Sequence, residues 1–360
     1  MSDSVILTSK LPTSTHTSVV ELTLNSAKTL NALTQQMVEE LHQALSLCER
    51  DESVVAVIIK GAGDRALCAG GDIKHLRELS LNGDQGREFF AKEYALDYAI
   101  HSFSKPLIVW GSGIVMGGGL GLLAEAPFRV VTNSTRIAMP EITIGLYPDV
   151  GGSYFLSRAP GKLGLFMGLT GCSINGTDAV GVGLADYRLD DSQYAELIEA
   201  MRLLSWEQPR RQLTELLAQL ASAASSLAPR LLAYREDIDL LCASNDIAAI
   251  DQALSSYEGI EFIESAAKKY RSGCPLTACL VWEQMNRAGE MSLADVFRME
   301  WWMSVRCLQQ PDFAEGVRAL VIDKDQSPTW QHASIGEVSP TLIDSFFSCP
   351  EANPLVQLAE

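Results

Sequence analysis

Residues 105–125 read K-P-L-I-V-W-G-S-G-I-V-M-G-G-G-L-G-L-L-A-E. Leu107–Trp110 is a short apolar run of buried-strand type, and the glycine-rich segment from Gly111 leads into a helical pattern at about Gly118. Glycines between a strand and a helix leave backbone N–H groups uncovered where the helix dipole is positive, which suits a phosphate, a carboxylate or a developing oxyanion. A second stretch, C-A-G-G-D-I at Cys68–Ile73, has the same form and enters a helix at Asp72. Close helix–sheet packing also calls for glycine, so one such stretch decides little, whereas two in one core favour an anion or oxyanion hole. Nucleotide-binding readings fail on detail: there is no G-K-[ST], and the G-x-G-x-x-x-G spacing misses the dinucleotide fingerprint by one residue.

Outward from these loops, strand and helix signals alternate up to about residue 190. Val19–Leu24 alternates apolar and polar residues, and Val54–Ile59 (V-V-A-V-I-I) is a β-branched run of buried-strand type. Between them Thr34 is placed to cap a helix from Gln35 to about Cys48. Phe128–Thr132 reads as a further strand. This alternation predicts an α/β core with a mostly parallel sheet. Beyond about Asp191 six helical segments follow, from Ser205–Leu227 to Leu293–Cys307, and Gly, Pro, Asn and Ser fall mainly between them. The expected organisation is a core over 1–200 and a helical region over 201–360.

The 360 residues carry 47% hydrophobic and 20% charged side chains, which suits a globular protein with a substantial core. A formal net charge of −17 argues against nucleic acid and anionic membrane as partners. An anionic small ligand would need local cationic contacts. The eight cysteines are scattered without a C-x-x-C pair, and the five histidines are isolated, so reduced core thiols are expected and a zinc site is not. The N-terminal M-S-D-S-V-I-L-T-S-K has neither a signal-peptide nor a transit-peptide pattern, and no apolar run approaches the roughly 20 residues that span a bilayer. A cytoplasmic protein is the expectation.

One further segment matters. Residues 140–152, P-E-I-T-I-G-L-Y-P-D-V-G-G, place Glu141 and Asp149 among Ile142, Ile144, Leu146, Tyr147 and Val150. Ionised carboxylates are costly in such surroundings unless something pairs with them or uses them. Asp149 also stands where it would cap a helix through Tyr154 and Leu156, and Asp72 where it would cap the helix after the first glycine loop.

Taken in order, C-A-G-G-D-I-K, K-P-L-I-V-W-G-S-G-I-V-M-G-G-G-L-G and M-P-E-I-T-I-G-L-Y-P-D-V-G-G-S-Y-F-L resemble the enoyl-CoA hydratase/isomerase (crotonase) superfamily. D-F-A-E-G-V-R-A-L-V-I-D-K-D-Q-S-P-T-W at Asp312–Trp330 is most similar to its 3-hydroxyisobutyryl-CoA hydrolase branch. Residues of about 190–270 match weakly. The resemblance implies a crotonase-like ββα spiral core with a helical C-terminal region covering the active site. It implies an acyl-CoA substrate and an oxyanion hole from the backbone N–H groups of Gly71 and Gly118. Hydratases of the superfamily place one catalytic glutamate just after the glycine-rich loop and another in the P-E motif. Here the first position is Gly121 and the second is Glu141, while Asp149 occupies a position that is small in hydratases.

The resemblance makes Glu141 the catalytic carboxylate, attacking the thioester to give an anhydride or activating water. It gives Asp149 the substrate's 3-hydroxyl or proton handling near the leaving group, and makes Glu93, in F-F-A-K-E-Y, a substrate contact. The chemistry agrees, since thioester hydrolysis needs one nucleophile or base and a stabilised oxyanion. The leaving thiol has a reference pKa near 8.5, by analogy with cysteine, and needs no strong acid. The expected activity is hydrolysis of 3-hydroxyisobutyryl-CoA or a close short-chain 3-hydroxyacyl-CoA in valine catabolism. No metal or redox cofactor is implied, since CoA is part of the substrate, and a homo-oligomer is possible in this superfamily. The alternatives are a hydratase or isomerase of the same superfamily and a non-catalytic acyl-CoA-binding protein. Lys74 and Arg65 are weaker candidates for CoA phosphates, and Trp301–Trp302 reads as packing.

Overall fold

The computed structural model describes residues 4–358. Among the described residues, ten strands form two sheets. Their order in the chain is β1 (Ile6–Pro12), β2 (Ser18–Leu24), β3 (Val54–Gly61), β4 (Ala66–Cys68), β5 (Leu107–Gly111), β6 (Ile114–Met116), β7 (Phe128–Thr132), β8 (Arg136–Ala138), β9 (Ile174–Asn175) and β10 (Tyr187–Leu189). The six-stranded sheet has the order β1-β2-β3-β5-β7-β10, and the smaller one β4-β6-β8-β9. β1 and β2 pair antiparallel, and every later pairing in the large sheet is parallel. Three successive segments, β3–β4, β5–β6 and β7–β8, each give a strand to the large sheet and then one to the small sheet. The first two then enter helices Ile73–Leu81 and Gly118–Ala124. This is the ββα repeat expected of the sequence.

The chain forms two compact units. One takes the chain up to Gly71, Leu96–Ile137 and Ile174–Pro229; the other takes Asp72–Ala95, Ala138–Ser173 and the chain from Arg230 onward.

In the first unit, Ala56 and Ile58, Ile108 and Trp110, and Phe128 and Val130 are i, i+2 pairs on one face of the large sheet. They pack with Leu197 and Met201 of helix Tyr194–Leu203 and with Leu213, Leu217 and Leu220 of helix Pro209–Ala223. Helix Gln35–Arg50 starts where Thr34 accepts a bond from the Met37 N–H at 3.2 Å, and it buries Met37, Leu41, Leu45 and Cys48.

The second unit is helical. Several of its helix starts are marked by side-chain caps, Ser292 on Asp295 N–H and Ser339 on Leu342 N–H, or by proline in the first turn at Pro275, Pro311 and Pro340. Helix Leu293–Leu308 is buried on most of its faces and carries two fully buried polar residues, Glu300 and Ser304, at an i, i+4 spacing that puts them on one side. None of the eight cysteines is in a disulfide; seven are buried and Cys349 is exposed.

Candidate active site

In the first unit the two glycine stretches come together. β4 and β6 lie side by side in parallel register, so the chain leaves both strands in the same direction. Gly117 adopts φ 48° and ψ −126°, which L side chains rarely adopt, and helix Gly118–Ala124 begins at the next residue. The Gly118 N–H is one of the donors at a helix start that no intrahelical acceptor reaches. A Cβ on Gly70 would lie 3.9 Å from the Gly118 nitrogen, and one on Gly119 would lie 2.3 Å from the Cys68 carbonyl oxygen. The loops bearing Gly71 and Gly118 are therefore in close contact, held by an approach that only glycine at 119 permits. Gly121 lies buried within the same short helix. The carboxylate at the end of that helix, Glu125, is 3.4 Å from His101.

The second unit collects carboxylates. Pro140 precedes a 3₁₀ turn, Glu141–Ile144, closed by Gly145 in the left-handed region with its N–H on the Glu141 carbonyl. Glu141, Ile142 and Ile144 of this turn are buried, and Glu141 is only 4% exposed. Its Oε2 is buried without a hydrogen-bond partner, a free oxygen of the kind a reacting group needs. Asp149 and Glu93 are equally buried, and Glu93 Oε1 also lacks a partner. Burial first, then the charge of Asp149, pushes Glu141 well above the usual carboxylate range, and Glu93 is pushed up by the same two causes. Burial raises Asp149 to about 6, against the opposing hydrogen bond from Tyr94. Three acidic groups that cannot all ionise cheaply together mark a functional site rather than a stabilising one.

Asp149 does not cap the following helix. Helix Gly152–Ser157 follows Gly151 with no capping side chain, and Asp149 Oδ2 instead lies 2.7 Å from the Tyr94 hydroxyl, which donates to it when Asp149 is ionised. The capping work falls to Glu300, whose Oε2 accepts from the Gly151 N–H at 2.7 Å and whose Oε1 accepts from the Ser153 N–H at 2.8 Å. These bonds hold the chain just beyond Val150, a β-branched residue in the left-handed region at φ 52°. Such a conformation costs on the order of 1–3 kcal/mol and persists only where its surroundings enforce it. Asp72 does cap, accepting from the His75 N–H at 3.2 Å. Lys74 and Arg65 are exposed, and Trp301 and Trp302 are buried. Tyr94, Tyr147, Glu300 and Ser304 escaped the sequence reading. A buried acid in M-E-W-W was the one local signal, and it pointed at no partner.

The enoyl-CoA hydratase/isomerase family model matches residues 19–347. The chain belongs to this family. Within it, the chain is 37% identical over 331 residues to the mitochondrial 3-hydroxyisobutyryl-CoA hydrolase of Gallus gallus, covering 91% of this chain and 85% of that one. It is 39% identical over 332 residues to the Xenopus laevis protein of the same name, covering 91% and 86%. Among solved structures it is similar to a carnitinyl-CoA dehydratase from Mycobacterium thermoresistibile, with a TM-score of 0.87, 34% identity and 98% of each chain covered. An enoyl-CoA hydratase from Rhodobacter sphaeroides 2.4.1 gives a TM-score of 0.83 at 33% identity, covering 96% of this chain and 97% of that one. The family's crotonase fold is thus the fold of this chain. The names of these relatives divide between thioester cleavage and addition or removal of water, so the residues of the site must separate the two reactions.

Proposed function

We propose that the protein hydrolyses the thioester of 3-hydroxyisobutyryl-CoA, or of a close short-chain 3-hydroxyacyl-CoA, to the free acid and CoA, a step of valine breakdown. The observation that carries this reading is glycine at 121, where hydratases of the family have a catalytic glutamate, together with a glutamate kept at 141. Moving water across a carbon–carbon double bond calls for groups that place oxygen and hydrogen on neighbouring carbons. With glycine at 121, and Glu125 turned to His101, the first glutamate of the hydratase arrangement is missing and only that of the P-E motif is kept. One carboxylate with an oxyanion site is what thioester cleavage needs.

In this reading the N–H groups of Gly71 and Gly118 receive the carbonyl oxygen. Glu141 acts at the carbonyl carbon by one of two routes. Its oxygen adds to the carbon, the C–S bond breaks with release of the CoA thiolate, and water then cleaves the resulting anhydride. Alternatively it takes a proton from water as the water adds. Asp149 and Glu93 contact the acyl portion, with Asp149 at the 3-hydroxyl. The step needs no metal or redox cofactor.

Purified protein should release free thiol from 3-hydroxyisobutyryl-CoA, and more slowly from acyl-CoAs that lack the 3-hydroxyl. Loss of the conjugated enoyl absorbance of crotonyl-CoA without thiol release would instead make it a hydratase. Binding without turnover on any short acyl-CoA would make it a carrier.

A further inference from the structure

Four short oxygen–oxygen contacts run in series through the second unit. Asp149 Oδ2 and the Tyr94 hydroxyl are 2.7 Å apart, Tyr94 and Ser304 Oγ 2.7 Å, Ser304 and the Tyr147 hydroxyl 2.8 Å, and Tyr147 and the Glu300 carbonyl oxygen 2.6 Å. Each needs a hydrogen between its oxygens, because two oxygens at such a distance without one repel. The three hydroxyls of Tyr94, Ser304 and Tyr147 carry one hydrogen each, and the Glu300 carbonyl carries none. Three hydrogens cannot serve four contacts. The Glu300 carbonyl can only accept, so Tyr147 donates to it, Ser304 then donates to Tyr147, and Tyr94 donates to Ser304. The contact left without a hydrogen is the one at Asp149, and a carboxylic acid supplies it.

We propose that Ser304 and Tyr147, acting through Tyr94, are positioning residues that favour the neutral acid form of Asp149, its proton directed at the Tyr94 oxygen, so that Glu141 meets an uncharged neighbour. This deepens the hydrolase reading and rests on it for the role of Glu141. All the groups in the chain are buried, so no ordinary solvent exchange relieves the count. The titratable groups around Asp149 are Glu93 and Tyr94 on helix Arg87–His101, Glu141 on the 3₁₀ turn, Tyr147 on its own segment, and Glu300 and Cys307 on helix Leu293–Leu308. All are acids, uncharged when protonated, so none of them offers a positive charge that would favour ionised Asp149. If Asp149 ionises, Tyr94 turns to donate to it, the series reverses as far as it can, and one contact loses its hydrogen.

The count makes opposite predictions for neighbouring hydroxyls. Removing the Ser304 hydroxyl leaves two contacts and two hydrogens, so ionised Asp149 is fully accommodated; removing the Tyr147 hydroxyl does the same. Removing the Tyr94 hydroxyl instead takes away the only chain donor that an ionised Asp149 has. The test is an infrared pH titration of the substrate-free full chain, with the Asp149 acid carbonyl band assigned by its loss in Asp149→Asn. The band should be present in the mildly acidic range with a midpoint near 6. The midpoint should fall by about one unit, a tenfold change in proton affinity, in both Ser304→Ala and Tyr147→Phe, and rise in Tyr94→Phe. In the pH profile of thiol release, the alkaline limb should move with the midpoint. An unmoved midpoint in folded Ser304→Ala and Tyr147→Phe, or a fall in Tyr94→Phe, overturns the proposal. Because the titration uses no substrate, it stands or falls separately from the hydrolase activity, which thiol release alone measures.

Discussion

At the scale of residues, the cost of the site should be visible in the pH dependence of stability. Asp149 is raised from 3.8 to about 6 and Glu300 from 4.5 to about 8, in both cases by burial first. A carboxyl whose folded pKa is raised binds its proton more tightly in the folded chain. Its contribution to stability is therefore full below the unfolded pKa and is lost as pH rises through the folded one. The carboxylates of Asp190, Asp295, Glu315 and Asp325, half-buried or exposed, are lowered by their hydrogen bonds and act in the opposite sense, but only at more acid pH. Unfolding free energy, followed by urea titration, should accordingly decline between about pH 5 and pH 8. Glu300→Gln should flatten the upper part of that decline. It should also lower stability by about 1–3 kcal/mol, because an amide can accept from only one of the two N–H groups at Gly151 and Ser153. A decline unchanged in Glu300→Gln would remove Glu300 as its source.

At the scale of elements, the close approach of the two glycine loops is the feature most exposed to a single change. Gly119→Ala would set a methyl 2.3 Å from the Cys68 carbonyl oxygen, backbone that cannot step aside cheaply. The expected cost is about 1–3 kcal/mol in a denaturant melt, with a fall in turnover as the Gly71 and Gly118 amides separate. Full stability in that variant would show that the loops can part. The elements themselves were legible in the sequence wherever their causes are local. Thr34 and Asp72 cap the helices that follow them, and the β-branched run at Val54 is a central strand. Glu141 and Asp149 were legible as acids out of place among apolar residues. What surrounds them was not. The Tyr94–Asp149 bond joins residues 55 apart in the chain and the Tyr94–Ser304 bond residues 210 apart, so no window of sequence contains the cause. Asp149 was misread as a cap for the same reason: the true capping carboxylate, Glu300, lies 149 residues beyond Gly151.

At the scale of the whole molecule, secondary structure and compactness divide the chain differently. The last strand ends at Leu189, as the change in sequence texture suggested, but the face of the large sheet is covered by helices Tyr194–Leu203 and Pro209–Ala223. A fragment ending at residue 200 lacks Met201, Trp206, Leu213, Leu217 and Leu220, and uncovers Trp110 and Phe128. Such a fragment should be degraded by limited proteolysis under conditions that leave the full chain intact; a protease-resistant monomer would show that the sheet does not need those helices. The function proposed for the full chain depends on the Glu141 carboxylate, and one comparison reaches it most directly. Thiol release from 3-hydroxyisobutyryl-CoA should fall by about 10²–10⁴-fold or more in Glu141→Gln, with the circular dichroism spectrum and CoA binding retained. Turnover equal to that of the unaltered protein would contradict the account.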